Sequence, residues 1–595
     1  MKSTTPRRRA LRVGAALAFA LFGAALPLVS AMDGRPPTER ARATVSTAAV
    51  AGRRAVTLGD DDVAVDALLS RMTVRQKAAQ LIMPWVPGGL EPGTRASQRA
   101  NHWVATLGVG GIIIGKGDRH AMTRAIRGLQ SRSRVPLLVA SDLEWGAGMR
   151  LLGATLLPVA MAVAATGDTS LAYAHGRVTA AEARASGLHM TLAPVLDVNT
   201  NPRNPIINTR SFGEDAREVA RFGAAVVRGL QDGGLLAVGK HFPGHGDTEQ
   251  DSHVELPTIN VPRARLDSVE LVPFRAAIRA GISGIMVGHI AVPALGAART
   301  PASLSRAVAT TVLRDRLRFD GLVFTDALNM AGVTQDRDVS EIAVRAVHAG
   351  ADILLQPTDP EVAIDAIARA VARGAIAGAR LDTSVRRILR AKARAGLIGH
   401  RRLPAPAVSD SSLPSPGELA DSIAARSITL LRDRSNLLPA RTSRPVLSLT
   451  YASGVSVPGG ASETFDAMLR AAGLQVRRLT LSARTATAVT DSLIRAWGDT
   501  SVVPLVILSS YGQPAPSRGS LDLPDAVTAA AERIAHSAPL VHVAFGGPSI
   551  TLSLPSASTT MVAWTGIPAA QRAAAGVIVG ARAATGRLPV SLRPD

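Results

Sequence analysis

The chain has 595 residues, 47% of them hydrophobic and 19% charged; this is a globular composition, too long for one ordinary domain of roughly 100–250 residues. It contains no cysteine, which excludes disulfides, thiolate metal sites and a lipid-anchoring cysteine. The formal charge of +21 would suit anionic partners, but only five of the 67 basic residues are Lys, and the arginines are scattered along the chain, so the pattern fits composition bias better than a nucleic-acid surface.

Residues 1–31 read as a secretory signal peptide. MKSTTPRRRALRV is basic, residues 13–29 are apolar, and Val29-Ser30-Ala31 supplies small residues for cleavage. The Arg8-Arg9 pair resembles a twin-arginine export signal. An uncleaved anchor is the alternative, and Pro27 with its small neighbours argues against it. No later segment reads as a membrane span, so an exported protein is expected: periplasmic, cell-envelope or extracellular. Residues 32–60 form an N-terminal extension.

Over 61–398 short apolar runs alternate with helical patterns. The runs are QLIMPWV (80–86), VGGIIIG (109–115), PLLVASDLE (136–144), LHMTLAPVLDV (188–198), LLAVGKHF (235–242), ISGIMVGHI (282–290), GLVFTDAL (321–328) and ADILLQP (351–357). They lack polar alternation, as expected of parallel strands buried on both faces. Amphipathic stretches such as 215–231, 266–281 and 305–318 are long enough for crossover helices, and 362–376 and 383–396 complete the set. Eight strands with intervening helices predict an α/β fold of the (β/α)8 TIM-like barrel type. A Pro/Ser-rich linker follows at 399–417. Residues 418–595 then carry strand candidates at 445–452, 474–481, 502–510, 539–547 and 559–566, with helices at 523–537 and 569–584, predicting a smaller C-terminal α/β layered sandwich domain.

A barrel of this type places chemistry at the C-terminal ends of its strands. Polar residues gather there: Asp142 and Glu144, Asp197, Lys240 and His241, His289, and Asp326. Each alone can be a loop cap; five strand ends together form a constellation. Asp326, in VFTDALNM, is carried by an apolar strand to a position from which a carboxylate can attack a substrate carbon, as retaining glycosidases do. Such attack needs a partner that is first an acid and then a base. KHFPGHGDTEQDSH (240–253) can supply it: Gly244 and Gly246 allow tight turns, and Asp251 two residues before His253 can hold an imidazole whose ordinary pKa of about 6.5 suits proton exchange. Two other readings stay open at this point. One is a loop stitched by its own side chains; the other is zinc held by His241, His245, His253 and Asp247, although HxxxH in a Gly-rich turn lacks helical spacing.

KHFPGHGDT followed by DSH resembles the signature of glycoside hydrolase family 3, β-N-acetylhexosaminidase branch, and the resemblance extends over nearly all of the chain after residue 31. DLEWGAGMR (142–150) matches the family's D-x-E-G-G-x-V-x-R pattern in Asp142, Glu144, Gly146 and Arg150; TRSFGED (209–215) and FTDALNM (324–330) resemble two further motifs. ARLDTSVRRILRAKARAGL (379–397) and SITLLRDRSNLLP (427–439) resemble the end of the barrel and the start of the second domain. The resemblance implies Asp326 as nucleophile, His253 as acid/base and Asp251 as its support. It implies Asp142, Arg150, Arg210, Lys240 and His241 as ligands of sugar hydroxyls and the N-acetyl group, a task suited to charge-assisted hydrogen bonds. Asp197, His245 and His289 read as pocket structure. Trp145 departs from the pattern by replacing the first Gly of the Gly pair, and can either wall the sugar pocket or turn outward. Met149 stands where the pattern has a neutral residue.

The expected activity is retaining exo-hydrolysis of terminal non-reducing β-N-acetylglucosamine from peptidoglycan fragments or chitooligosaccharides, with no metal or organic cofactor, no nucleic acid and no stable membrane span after signal cleavage. The oligomeric state stays open. The nearest alternative is the family's β-glucosidase branch, which takes its acid/base from a Glu in the second domain; here only Glu463 and Glu532, with Glu418 at the edge, are available. A phosphorylase, passing the sugar to phosphate, is the second. A non-catalytic glycan-binding envelope protein is the alternative of a different class, and the presence of both Asp326 and His253 argues against it.

Overall fold

The computed structural model describes residues 58–335, 337–399, 414–441, 443–452, 457–498, 502–512 and 522–592. The expected signal peptide and all but the ends of the N-terminal extension and of the Pro/Ser linker lie outside these residues. Among the described residues no helix is long and apolar enough to cross a membrane.

The first half is a closed parallel barrel. Its strands are β1 (Ile82–Met83, resumed after Pro84 as Trp85–Val86), β2 (Gly111–Ile114), β3 (Leu138–Ser141), β4 (Met190–Thr191), β5 (Leu236–Phe242), β6 (Gly284–Val287), β7 (Leu322–Thr325) and β8 (Leu354–Leu355). Each pairs in parallel with the next from β1 to β7. β8 closes the ring by pairing with β1 at Ile82 and Met83 and by a bridge from Ile353 to Phe324 of β7. Every residue of β2, β3, β6 and β7 is buried, because helices cover the outside and side chains fill the inside. That two-sided burial is why these strands read as unbroken apolar runs. Pro84 interrupts β1 because it has no N–H to donate, although its carbonyl still accepts from Ile113 at 2.9 Å.

Helices return the chain between strands. Ala216–Asp232, capped by the Asp215 carboxylate on the Arg217 and Glu218 amides, is the clearest, and it matches the expected 215–231 stretch. The expected helix 266–281 is instead two segments, Arg263–Ser268 and Leu271–Arg279. Pro273 explains the break: it cannot donate to the carbonyl of residue 269, and its ring crowds that carbonyl. The run 188–198 yields only a short strand, because Pro194 cannot extend the ladder and the chain bends toward β5, where Val195 bridges Lys240.

The second half is a layered α/β sheet of β9 (Thr429–Asp433), β10 (Val446–Ala452), β11 (Val476–Leu481), β12 (Leu505–Gly512), β13 (Leu540–Gly546) and β14 (Thr559–Val562), ordered β9–β14–β13–β12–β10–β11. All pairs are parallel except β9, an antiparallel edge absent from the strands expected at the sequence level. The fold is thus α/β, a TIM-like barrel followed by a smaller α/β domain.

The two halves share buried surface. Trp564, just after β14, is fully buried in a cluster with Val159, Met161, Ala162 and Ala165 of the barrel, and its Nε1 donates to the Ser427 carbonyl at 2.7 Å. Arg587 N donates to the Ala165 carbonyl at 2.9 Å, and Glu214 N to the Pro589 carbonyl at 3.1 Å. Trp564→Ala is expected to destabilise the protein by about 3–5 kcal/mol, the range for emptying a buried Trp site. Denaturant unfolding of the variant beside the parent checks this.

Candidate active site

The strand ends at one mouth of the barrel carry an ordered set of charges. Asp142 and Glu144 lie two residues apart beyond β3, an i,i+2 spacing that turns both carboxylates the same way. Lys240 projects from β5 between them: its Nζ is 2.8 Å from Asp142 Oδ1 and 2.8 Å from Glu144 Oε1. Glu144 also takes a two-pronged bond from Arg210, with Nε and Nη2 each at 2.8 Å, while Arg210 Nη1 donates to the Ile206 carbonyl at 2.8 Å. Arg150 Nη2 stands 3.4 Å from the second oxygen of Asp142. Burial by itself would raise both carboxyl pKa values, but Lys240 with Arg150 holds Asp142 below its ordinary range, and Arg210 with Lys240 holds Glu144 far below it. Burial would likewise favour a neutral Lys240, yet the two carboxylates keep its pKa raised.

The next residue of β5, His241, is held by Asp197 from the segment after β4. The fully buried Asp197 carboxylate sits 2.7 Å from His241 Nδ1, accepts from His241 N at 3.1 Å and accepts from His245 N at 2.7 Å. With Nδ1 so engaged, Nε2 of His241 is the nitrogen left for a ligand.

Asp326 follows β7. Its amide donates to the Val287 carbonyl at 3.0 Å, and one carboxylate oxygen accepts from Ala327 N at 2.8 Å. Burial pushes its pKa up; His241, His289, the Ala327 amide and His253 outweigh burial and bring it down to about 2. Of these the amide acts at every pH, since it does not titrate. His289 serves the backbone of this segment. Its Nε2 lies 2.9 Å from the Ala327 carbonyl, which can only accept, so Nε2 carries the proton and Nδ1 accepts from the Ser303 hydroxyl at 2.7 Å.

The loop after β5 returns over this mouth. It is seated on the segment after β4: Thr200 Oγ1 donates to Asp247 at 2.6 Å, Asn204 donates to the His245 carbonyl at 2.8 Å, and Gly246 comes so close to the Val198 carbonyl that a Cβ there would lie 1.8 Å from it. Further along, one oxygen of Asp251 meets both the backbone N and Nδ1 of His253, at 2.9 and 2.7 Å, which leaves Nε2 of the ring for chemistry. The His253 side chain is 35% exposed, so a solvent proton can reach it. Both nitrogens of His245 face hydroxyls, Thr248 and Ser252, and among the described residues no three His, Asp or Glu converge as a metal site.

One cavity of about 380 Å³ gathers these groups. Of the sequence-predicted residues, Asp326, His253, Asp142, Arg150, Arg210, Lys240 and His241 line it, and Asp251 stands behind His253. Leu192, Ile206, Ile207 and Met286 supply apolar wall. Trp145 faces inward enough to line the cavity while also packing against the cluster around Trp564. Glu144 was matched to a motif at the sequence level without a role; the structure makes it the shared partner of Arg210 and Lys240, and the i,i+2 spacing from Asp142 was the available signal. The three Glu of the second half lie elsewhere. Glu463 pairs with Arg478, Glu532 accepts from Ser556 N at 3.2 Å, and Glu418 caps its own helix through Ser415.

Glu144→Gln is expected to cost about 3–5 kcal/mol, because Arg210 and Lys240 lose a buried counter-charge. Glu144 has a depressed folded pKa, so its contribution is complete above the unfolded value of about 4.3 and is lost as pH falls below it. Denaturant unfolding at several pH values should therefore show parent and variant converging toward acid.

Comparisons with known proteins point to one family. Residues 73–391 match the glycosyl hydrolase family 3 N terminal domain. A Cellulomonas fimi protein described as a β-N-acetylglucosaminidase/β-glucosidase is 35% identical over 439 residues, 71% of this chain and 77% of its own. The solved structure of a glycoside hydrolase family 3 β-N-acetylglucosaminidase from Paenibacillus sp. str. FPU-7 aligns with a TM-score of 0.77 at 35% identity, covering 88% of this chain and 99% of its own. A β-glucoside phosphorylase, BglX, aligns with a TM-score of 0.79 at 25% identity, covering 89% and 96%. A barrel with charged strand ends, and a match to the family's N terminal domain over more than half of the chain, make the chain a glycoside hydrolase and a member of glycoside hydrolase family 3.

Proposed function

We propose that the protein is an exported retaining exo-β-N-acetylglucosaminidase acting on peptidoglycan fragments or chitooligosaccharides. The observation that carries this reading is one cavity lined by both Asp326 and His253, with Asp251 hydrogen-bonded to the ring of His253. Asp326, ionised at working pH, attacks the anomeric carbon; His253 Nε2 gives its proton to the departing oxygen. The same nitrogen then takes a proton from water as water displaces Asp326, so configuration is retained over two inversions. Asp251 orients the ring and stabilises its charged form. Asp142, Arg150, Arg210, Lys240 and the Nε2 of His241 hold hydroxyls and the N-acetyl group, charged donors and acceptors being rigidly spaced by their mutual ion pairs.

The placement of Glu418, Glu463 and Glu532 favours this branch over one using a second-domain carboxylic acid, since none of them lines the cavity. The basic, apolar and small-residue pattern of residues 1–31 supports export. The names of the Cellulomonas and Paenibacillus relatives support N-acetylglucosamine as the sugar. A phosphorylase is the second reading, favoured by the structural likeness to a β-glucoside phosphorylase and by an imidazole acid/base, which repels an incoming anion less than a carboxylate does.

With aryl N-acetyl-β-glucosaminides, Asp326→Ala is expected to lower kcat by about 10⁴-fold or more for every leaving group. His253→Ala should lower it by about 10²–10⁴-fold for poor leaving groups and far less for dinitrophenol, which departs without a proton. Near-parental turnover by Asp326→Ala contradicts the reading. Sugar 1-phosphate as the main product in phosphate buffer selects the phosphorylase.

A further inference from the structure

We infer that Ser252 is a positioning residue, latching the turn that carries His253 onto the loop that carries Asp326. The inference rests on the assignment of His253 as acid/base. The bonds between Asp251 and His253 fix the ring relative to its own turn, but they do not fix the turn relative to Asp326. The backbone bonds from Val254 N and Glu255 N to the Asp251 carbonyl, at 2.9 and 3.1 Å, are likewise internal to the turn.

Ser252 supplies an external attachment. It lies between the two members of the dyad, yet it is only 3% exposed. Its carbonyl accepts from Gly332 N at 3.2 Å, and Gly332 belongs to the helix Ala331–Thr334, six residues beyond Asp326. Its hydroxyl meets His245 Nε2 at 3.1 Å. His245 is itself fixed, by its amide on Asp197 at 2.7 Å and by Nδ1 on Thr248 at 2.7 Å. One residue therefore ties the acid's turn both to the nucleophile's loop and, through His245, to the carboxylate that holds His241. Gly332 allows the approach: a Cβ there would lie 2.9 Å from the Ser252 carbonyl oxygen, 3.0 Å from that of Glu255 and 3.4 Å from the His289 Cβ. Burial holds the His245 pKa down to about 4, so this link keeps a neutral ring over the working range.

A latch that acts through His253 predicts a defect in proton donation with the fold preserved. Ser252→Ala removes the hydroxyl link to His245 and leaves the carbonyl link to Gly332; it is expected to lower kcat/KM about tenfold for an alkyl or sugar leaving group and less than about threefold for dinitrophenol. In the His253→Ala background the same change should have almost no further effect, because the group it positions is gone. Gly332→Ala, which pushes on the carbonyl contact, should show the same leaving-group dependence. Equal loss on both leaving groups, or full additivity with His253→Ala, overturns the latch. If His253→Ala itself shows no leaving-group dependence, the acid assignment fails first, which separates the two ideas. Thermal unfolding of each variant distinguishes local misplacement from misfolding.

Discussion

The grip of three carboxylates on two consecutive residues of β5 is the constraint on which the site depends. Lys240 is pinned by Asp142 and Glu144 from β3, and His241 by Asp197 from the segment after β4. Burying an ammonium group is costly, and two carboxylates offset that cost at Lys240. Arg210 then supplies the positive charge that the second carboxylate still requires. The outcome is a set of charges that satisfy one another within the fold. Preorganisation of this kind reduces the reorganisation cost of binding and of catalysis.

The two groups proposed to react are held differently. Asp326 sits at the end of a buried strand, fixed by backbone bonds on both sides. His253 rides on an excursion of the chain, attached to the barrel at separated points. A nucleophile must be placed within a fraction of an ångström, whereas an acid that also serves as a base has to exchange protons with solvent. The partial exposure of the His253 ring beside the buried Asp197–His241 pair follows that division. The same contrast separates His289, whose two nitrogens are spent on Ala327 and Ser303, from His253, which keeps Nε2 free for chemistry.

Much of this was legible in the sequence, for identifiable reasons. Two-sided burial makes barrel strands continuous apolar runs, so all eight could be located, and the polar residue that ends a run marks the barrel mouth. Asp326, Lys240 and His241 stood out on that ground. The Asp251–His253 pairing was visible because a two-residue spacing in a turn brings the side chains together. Less legible was whatever depends on partners far apart in sequence. Nothing near Glu144 announces that Arg210, 66 residues on, will take both its oxygens. The edge strand β9 was missed because its pairing is with β14, more than a hundred residues later, and its short polar-ended run has no signal of its own. The break between Ser268 and Leu271 was announced by Pro273, a signal that amphipathic periodicity outweighed.

In the proposed mechanism Asp326 and His253 act on opposite sides of one bond-exchange event repeated twice, so that the sugar is released with the configuration it had in the substrate. Proton NMR of the first-formed product, recorded before mutarotation, tests this most directly. The β-anomer of N-acetylglucosamine is expected from an aryl β-glycoside; initial appearance of the α-anomer would rule out a covalent intermediate on Asp326.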